Sequence, residues 1–523
     1  MLLDLFTGNR LARRAADAGL VAYARRRTAK LDRLDVPEIQ RQTLLGLLRR
    51  AKDTAFGRAH GFARIRTVEE YQAAVPVGDY ESFWRDYWQP AFPRLEGTTW
   101  PDPIPYYALS SGTTSGTTKY IPISKEMLAS NRKAAFTTVA LFRNFAPQAD
   151  IFGGRIFFLG GNTELRREDN GSRSGDLSAI AAIEISSVTR PYTFPPKELS
   201  GIADWTVKVR RLAEASANLP ITAISGVPAW IEVLFARLKE VTGRNRIGDI
   251  WPTLRMLIHG GTTFDGHRDK FRADVGPDVH FVEVYPCSEG FVATEDPRYK
   301  LLRVVPDHGI FFEFIPADEF EDGKLKTDRP VRHTLATVET GVDYAVALTT
   351  CAGLWSYQVG DKVRFDRRDP PLLRFAGRTK YFLSAFGEHL IEDEIAKALA
   401  EAARETGADV GEWHVGPVFS EDPKKPGHHR YLIEFRQPQA DADRFVTVLD
   451  ETLRRLNEDY DAHRQGDLTM LRPVVEALKS EAFMRWMLAH GKRPPQHKVP
   501  RMDNSGKVTK GIGEWMTTNN QLK

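Results

Sequence analysis

The chain has 523 residues, 42% of them apolar and 27% charged, which gives length for roughly two to four packed units and excludes a fibrous or broadly disordered protein. Seventy-three Lys and Arg against sixty-nine Asp and Glu leave a formal charge of +4, too small a surplus to mark a wholesale nucleic-acid or membrane-surface binder. Two cysteines, Cys287 and Cys351, exclude a disulfide framework and a four-cysteine zinc site; with no apolar run of the ~18 residues that a transmembrane helix needs, they point to a cytoplasmic protein.

The Arg-rich residues 1–27 read as an amphipathic helix interrupted by Asp4 and Asp17, with no small-residue cleavage site after an apolar core. Helical patterning continues to about residue 100, with Leu44, Leu45, Leu47 and Leu48 as an apolar stripe, until the Pro-rich turn at 101–105. A short strand at 106–109 follows. From 152 to 377, β-like runs at 155–159, 279–284 and 309–314 alternate with helical stretches such as 230–241, the pattern of an α/β domain. After Gly377-Arg378 the pattern restarts as a helix at 391–403, a strand pair ending at 431–435 and one long helix at 444–464, a smaller α+β domain. Domains are therefore expected at 1–376 and 377–523.

Four stretches carry chemistry. Ser110-Ser-Gly-Thr-Thr-Ser-Gly-Thr-Thr-Lys119 lies between apolar runs; small side chains admit backbone N–H groups to an anion, and hydroxyls and a terminal Lys add donors, so the segment suits a polyphosphate. It lacks Walker A spacing, and a plain Ser/Gly/Thr hairpin turn is the alternative. Val282-Glu-Val-Tyr-Pro-Cys-Ser-Glu-Gly290 is a β run into a Pro-containing turn that presents Tyr285, Ser288 and Glu289. An aromatic ring can stack on a purine, a hydroxyl can reach phosphate, and a carboxylate can hold Mg²⁺; a strand-end turn with a solvated Glu is the alternative. Upstream, Leu257-Ile-His-Gly-Gly-Thr-Thr263 runs a strand into Gly260 and Gly261, where bare backbone can face an adenine edge, with a plain strand-ending turn as the alternative. In Leu348-Thr-Thr-Cys-Ala-Gly-Leu-Trp-Ser-Tyr-Gln-Val-Gly-Asp361, Gly360 is expected to make a tight turn and Asp361 to accept both hydroxyls of a ribose, though Gly-Asp also ends ordinary hairpins.

In this order the stretches resemble the motifs of the GH3 family of acyl acid amido synthetases, within the wider acyl-adenylate-forming superfamily, over nearly the whole chain. Residues 110–119 resemble its phosphate loop, Tyr285-Pro-Cys-Ser-Glu289 its Tyr-x-x-Ser-Glu motif and Tyr357-Gln-Val-Gly-Asp361 its Tyr-Arg-x-Gly-Asp motif. Leu456-Asn-Glu-Asp-Tyr460, with Arg464, is similar to the Leu-Asn-x-x-Tyr helix of its carboxy-terminal domains, and Val499-Pro-Arg-Met-Asp-Asn-Ser-Gly-Lys-Val508 resembles the superfamily's Pro-x-x-x-x-Ser-Gly-Lys signature. Two positions depart: Thr117 stands where Glu is frequent and Gln358 where Arg is usual.

The resemblance implies a large amino-terminal adenylate-forming domain of mixed sheets and helices with a smaller, mobile α+β carboxy-terminal domain. It also implies two-step ligation: ATP and Mg²⁺ activate a small carboxylic acid as an acyl-adenylate, and an amine, foremost an amino acid, then forms an amide and releases AMP. An acyl-CoA ligase with a thiol acceptor is the runner-up; a nucleotide- or nucleic-acid-binding module without chemistry is a third reading, since residues 492–510 hold six Lys or Arg against one Asp. Neither nucleic acid nor membrane is expected as partner. Carried over by position, Lys507 is the catalytic residue for adenylation. Ser110, Ser111, Gly112, Thr113, Thr114, Ser115 and Lys119 hold phosphates. Tyr285 meets adenine, Asp361 ribose and Glu289 Mg²⁺, with Gly261, Thr262, Ser288 and Arg378 completing the nucleotide contacts. The acyl pocket is expected between residues 128–142 and 225–230, with Ser225, Val227 and Trp230 lining it, and the hinge at Gly377-Arg378. Cys287 reads as an inert turn residue, the thirteen histidines show no metal-ligand spacing, and His428-His429 is expected in a solvent-facing loop.

Overall fold

The computed structural model describes residues 10–110, 119–160, 164–185, 189–202, 204–260, 264–321, 324–379, 382–420, 425–436, 441–467, 469–490 and 500–522. Contacts divide the chain into two compact units, one of Met1–Ser110 with Lys119–Lys380 and one containing Tyr381–Lys523.

Helix α1 (Arg10–Asp32) opens the large unit and α2 (Val36–Ala51) follows, started by Asp35, whose carboxylate accepts the Glu38 amide at 3.0 Å. The leucine stripe goes inward: Leu44, Leu47 and Leu48 are buried. Strands β1 (Tyr106–Ser110) and β2 (Lys119–Ile123) pair antiparallel, and α3 (Lys125–Phe145) begins at the Ser124 cap. Arg27 of α1 donates to both oxygens of Asp307 at 2.6 and 2.7 Å and to Thr137 of α3 at 3.0 Å, tying the first helix to the body.

Strands β3 (Arg155–Phe158), β4 (Arg166–Arg167), β5 (Arg173–Gly175) and β6 (Thr193–Phe194) lead to α4 (Trp205–Ser216), β7 (Ile221–Ser225), α5 (Pro228–Thr242), β8 (Met256–His259) and α6 (Asp265–Val275). Then come β9 (His280–Cys287), β10 (Gly290–Asp296), β11 (Leu301–Val304), β12 (Ile310–Pro316), a ribbon of β13 (Phe320–Glu321) and β14 (Lys324–Leu325), β15 (Asp343–Thr350), β16 (Tyr357–Arg367) and β17 (Leu372–Arg378). Eleven of these make one sheet in the order β12-β15-β16-β17-β11-β10-β9-β8-β7-β3-β6, and β2-β1-β5-β4 make another. From β6 to β9 the large sheet is parallel; from β9 to β12 it is antiparallel. The parallel part explains why 221–224 and 256–258 are buried on both faces, with Thr222 the one polar residue among them. Leu212, Leu234, Phe235 and Phe271 of α4, α5 and α6 cover one face together with Trp251.

In the small unit β18 (Phe382–Leu383) pairs β19 (Leu390–Ile391), and β20 (Val410–Val418), β21 (His428–Phe435) and β22 (Val474–Leu478) form a three-stranded sheet. Helices α7 (Glu392–Thr406) and α8 (Ala442–Leu456) bury Ile395, Leu399, Phe445, Leu449 and Leu453 against Tyr431 and Ile433. Beyond α9 (Glu458–Arg464), α10 (Ala482–Ala489) and α11 (Lys507–Thr518) bury Phe483, Trp486, Ile512 and Met516 around Leu432. Each such side chain contributes about 1.5–3 kcal/mol by leaving water.

Three expectations are corrected. The helix over 444–464 breaks at Asn457 (φ −138°, ψ 113°), because its side-chain oxygen accepts the Tyr460 amide at 2.8 Å and starts α9. Gly360-Asp361 is no turn; both residues lie inside β16. His428-His429 opens β21, and strand alternation turns His429 into the interior, 1% exposed, against Glu388.

Gly260 follows β8 where this strand meets β9, and a Cβ there would stand 2.3 Å from the Val284 carbonyl oxygen, backbone against backbone. Gly260→Ala is expected to lower the unfolding free energy by about 1–3 kcal/mol in urea titrations; stability equal to the parent's would mean that the two strands are not held this close.

Candidate functional site

Ser110 and Lys119 are the last pair of the β1–β2 ladder. The stretch 111–118, with Ser111, Gly112, Thr113, Thr114 and Ser115, lies outside the described residues, as do Gly261 and Thr262. What is described is the stem. The Lys119 ammonium sits 5.4 Å over the Tyr80 ring, and the Tyr80 hydroxyl accepts the Tyr120 amide at 3.0 Å. Neighbouring Gly78 joins the stem region to β16: its carbonyl accepts the Gln358 amide at 2.8 Å, and Phe83 packs on Tyr357 with centroids 5.7 Å apart.

Strands β9 and β10 form a hairpin closed by Cys287 opposite Gly290, so Ser288-Glu289 is a two-residue turn. At Gly290 a Cβ would stand 2.6 Å from Ile310 Cδ1, so Ile310 packs directly over the hairpin. Glu289 is buried and Ser288 half-buried. The Cys287 thiol donates to the Gly290 carbonyl at 2.9 Å and is pushed well up by burial, with Glu289 and Asp361 adding to the shift, so it stays protonated and is no nucleophile.

In β16 the partner strand β15 steps from Ala345 to Ala347 while β16 steps from Lys362 to Gln358. The surplus is a bulge, with Gly360 at φ +96°; bulges re-aim side chains beside functional sites. Asp361, one residue on and 4% exposed, accepts a hydrogen bond from the Tyr285 hydroxyl at 2.8 Å. Two predicted nucleotide residues are thus in contact. Opposite Asp361 on β17 stands Arg378, placed here by its backbone alone, and the Thr379 amide donates to the Gly360 carbonyl at 2.8 Å. Burial raises the Tyr357 hydroxyl well above its usual range, and Glu289, Glu81 and Asp79 push it further. Carboxylates of Glu289, Glu81 and Asp79 thus lie near Tyr357, hard oxygen groups of the kind that a cation held with phosphate takes. Among the described residues no group of three His, Cys, Asp or Glu could hold a metal ion.

Ser225 ends β7, Val227 is the cap residue of α5, and Trp230 stands in its first turn, 5.1 Å from Trp205 of α4. All three are half-buried. They sit past the carboxyl ends of parallel strands β3, β7 and β8, where open α/β sheets bind ligands. Helix α3 packs through Val139 and Phe142 near Ala223 and Ile258. Phe375 of β17 was not anticipated: it is 47% exposed and meets the Tyr285 ring edge to face at 6.0 Å, an open aromatic surface beside Asp361. Its signal was an aromatic next to a charged residue, Arg374-Phe375, in β17.

In the small unit, Lys507 is exposed at the first position of α11. Asp503 builds the turn before it, accepting the Ser505 amide at 2.9 Å, the Ser505 hydroxyl at 2.7 Å and the Thr509 amide at 3.0 Å.

Residues 30–198, 303–378 and 393–507 match the GH3 family N-terminal, central and C-terminal domains. The chain belongs to the GH3 family. Among its curated relatives are an indole-3-acetic acid-amido synthetase of Oryza sativa subsp. indica, 30% identical over 219 residues (39% of this chain, 35% of that one), and a jasmonoyl–L-amino acid synthetase of Oryza sativa subsp. japonica, 24% identical over 487 residues (76% and 80%). The chain spans about a third of the length of the first curated relatives it matches. Of solved structures, the GH3.15 acyl acid amido synthetase superposes with TM-score 0.56 at 18% identity over 95% of each chain. A 2-hydroxyisobutyryl-CoA ligase does so with TM-score 0.58 at 14% identity over 93% and 94%. Both likenesses establish the fold. The matched GH3 segments include Ser110, Lys119, Asp361, Arg378 and Lys507, whereas the β9–β10 hairpin with Tyr285 and Glu289 lies between two of them.

Tyr285→Phe removes the donor to a buried carboxylate and is expected to cost about 1–2 kcal/mol of stability in denaturant titrations. An unchanged midpoint would show that the Tyr285–Asp361 bond does not hold the two strands together.

Proposed function

We propose that this GH3 protein is an acyl acid amido synthetase: a small carboxylic acid is activated by ATP and then joined to an amine, foremost an amino acid. The observation that carries the reading is the contact of Tyr285 with Asp361 beside the Glu289 turn, with the Ser110–Lys119 stem linked to the same strand through residues 78–83. The names of the relatives, which pair an acid with amide formation, support the choice of chemistry.

In the first step a carboxylate oxygen of the acid attacks the α-phosphorus of ATP and pyrophosphate leaves. In the second the amine nitrogen attacks the acyl carbonyl, loses a proton, and AMP leaves. Residues 110–119 hold the phosphates by backbone N–H groups and hydroxyls, with Gly261, Thr262, Ser288 and Arg378 as further nucleotide contacts. Tyr285 and the open face of Phe375 border the adenine, Asp361 accepts the ribose hydroxyls, and Ser225, Val227 and Trp230 line the acyl group. Glu289 would be the residue to hold Mg²⁺ arriving on ATP, as a hard oxygen donor, and the ion would supply positive charge to the phosphates. Lys507 supplies positive charge to the α-phosphate as it transfers, the kind of electrostatic stabilisation that dominates phosphoryl chemistry. The functional domains are residues 1–376 and 377–523. Gly377, in a left-handed conformation (φ +106°) near the end of β17, suits a hinge between them.

Carboxylate-dependent exchange of pyrophosphate into ATP, screened across aryl, indolyl and aliphatic acids, tests the reading. Asp361→Ala is expected to abolish the exchange and Lys507→Ala to lower it by roughly 10²–10³-fold, with aminolysis of a presynthesised acyl-adenylate nearly unchanged in the Lys507 variant. Exchange unaffected in Lys507→Ala would remove its assigned role, and CoA outcompeting amino acids as acceptor would make the protein a thioester-forming ligase.

A further inference from the structure

The small unit contains a buried polar construction that the chemistry above does not use. Glu388, fully buried in the loop between β18 and β19, accepts the Ala385 amide at 3.1 Å, the Phe386 amide at 2.8 Å and His429 Nε2 of β21 at 2.7 Å. Burial alone would push this carboxyl up, but His429 and the surrounding donors hold it near 2, so it stays ionised. The loop it folds is tight: Gly387 has φ +104° and His389 φ +46°, and the Phe386 ring leaves no room for a Cβ at Gly427, which would stand 2.7 Å from Cζ.

This loop ends on the turn that carries Lys507. The Ser384 amide donates at 2.7 Å to Asn504 Oδ1, a partner 120 residues away. From Asn504 the chain passes through the Asp503-capped turn to Gly506, at φ +71°, where a Cβ would stand 2.7 Å from the Pro417 carbonyl oxygen of β20. The Lys507 amide then donates to Ser505 Oγ at 3.2 Å. The Lys507 turn is thus pinned to β20 on one side and to the Glu388 loop on the other.

We propose that Glu388 and Asn504 are positioning residues for Lys507: the buried carboxylate fixes the 384–389 loop, and Asn504 transmits that geometry to the turn from which the lysine projects. The role in catalysis rests on the amido synthetase reading; the mechanical coupling does not. A long, flexible ammonium gives rate only if its base is held, since misplacement by about 1 Å can cost ~10²-fold.

The test combines hydrogen exchange and kinetics on the full-length protein and its Asn504→Ala, Asn504→Asp and Glu388→Gln variants. Amide exchange over 503–509 is expected to accelerate at least about tenfold in Glu388→Gln and in Asn504→Ala, because a lost hydrogen-bonded constraint of ~1.4 kcal/mol corresponds to a factor of ten. Acid-dependent pyrophosphate exchange is expected to fall in parallel through kcat, with KM for ATP within twofold, and Asn504→Asp, which still offers an acceptor to Ser384, is expected to recover most of it. Asn504 is exposed, so its variants remain folded even if Glu388→Gln does not. Exchange over 503–509 within twofold of the parent in Asn504→Ala overturns the coupling. If the parent shows no acid-dependent pyrophosphate exchange with any acid, the ligase reading fails, and the amide-exchange result still decides the coupling.

Discussion

The hydrogen bond between Tyr285 and Asp361 crosses a sheet that, laid flat, would forbid it. Tyr285 is on β9 and Asp361 on β16, with β10, β11 and β17 between them. Four strand steps of about 4.8 Å amount to ~19 Å, far more than a tyrosine and an aspartate can bridge. The contact therefore requires the sheet to curl sharply there. The short β11 permits this: four residues long, it pairs with β17 only at Leu302↔Leu373 and Arg303↔Leu372, so the ends of the flanking hairpins extend beyond it and fold towards each other. The Gly360 bulge on one hairpin and the tight Ser288-Glu289 turn on the other then set the two side chains face to face.

This curl brings together residues that lie far apart in the sequence. The parallel half of the sheet offers strand ends at Ser225 and Gly260, the antiparallel half offers Asp361, and β9 belongs to both halves. It is parallel to β8 and antiparallel to β10, so Tyr285 and Glu289 sit at the change of direction.

Much of this was legible in the sequence, for physical reasons. Parallel strands buried on both faces read as short apolar runs, so β8 was legible before Gly260, and the Ser/Gly/Thr stretch lay between apolar flanks that became the hairpin stem ending at Ser110 and Lys119. Long-range pairing left no trace: nothing local tells that Tyr285 and Asp361, 76 residues apart, share a hydrogen bond. Asn457 broke a helix without help from Gly or Pro because an amide cap competes with the helical backbone. His429 was misplaced because a His-His pair flanked by Gly and Pro looks exposed, while strand alternation turned its ring inward onto Glu388 and left His428 half-buried. Phe375 was overlooked because an aromatic in a β run is usually core.

The central claim is that one crevice aligns an organic acid for attack on the α-phosphorus of ATP. Oxygen tracing tests it most directly: with an acid that turns over, labelled with ¹⁸O in its carboxylate, full reaction with ATP and an amino acid is predicted to place one labelled oxygen in AMP and none in pyrophosphate. Label in inorganic phosphate, or AMP free of label while amide accumulates, would contradict the account.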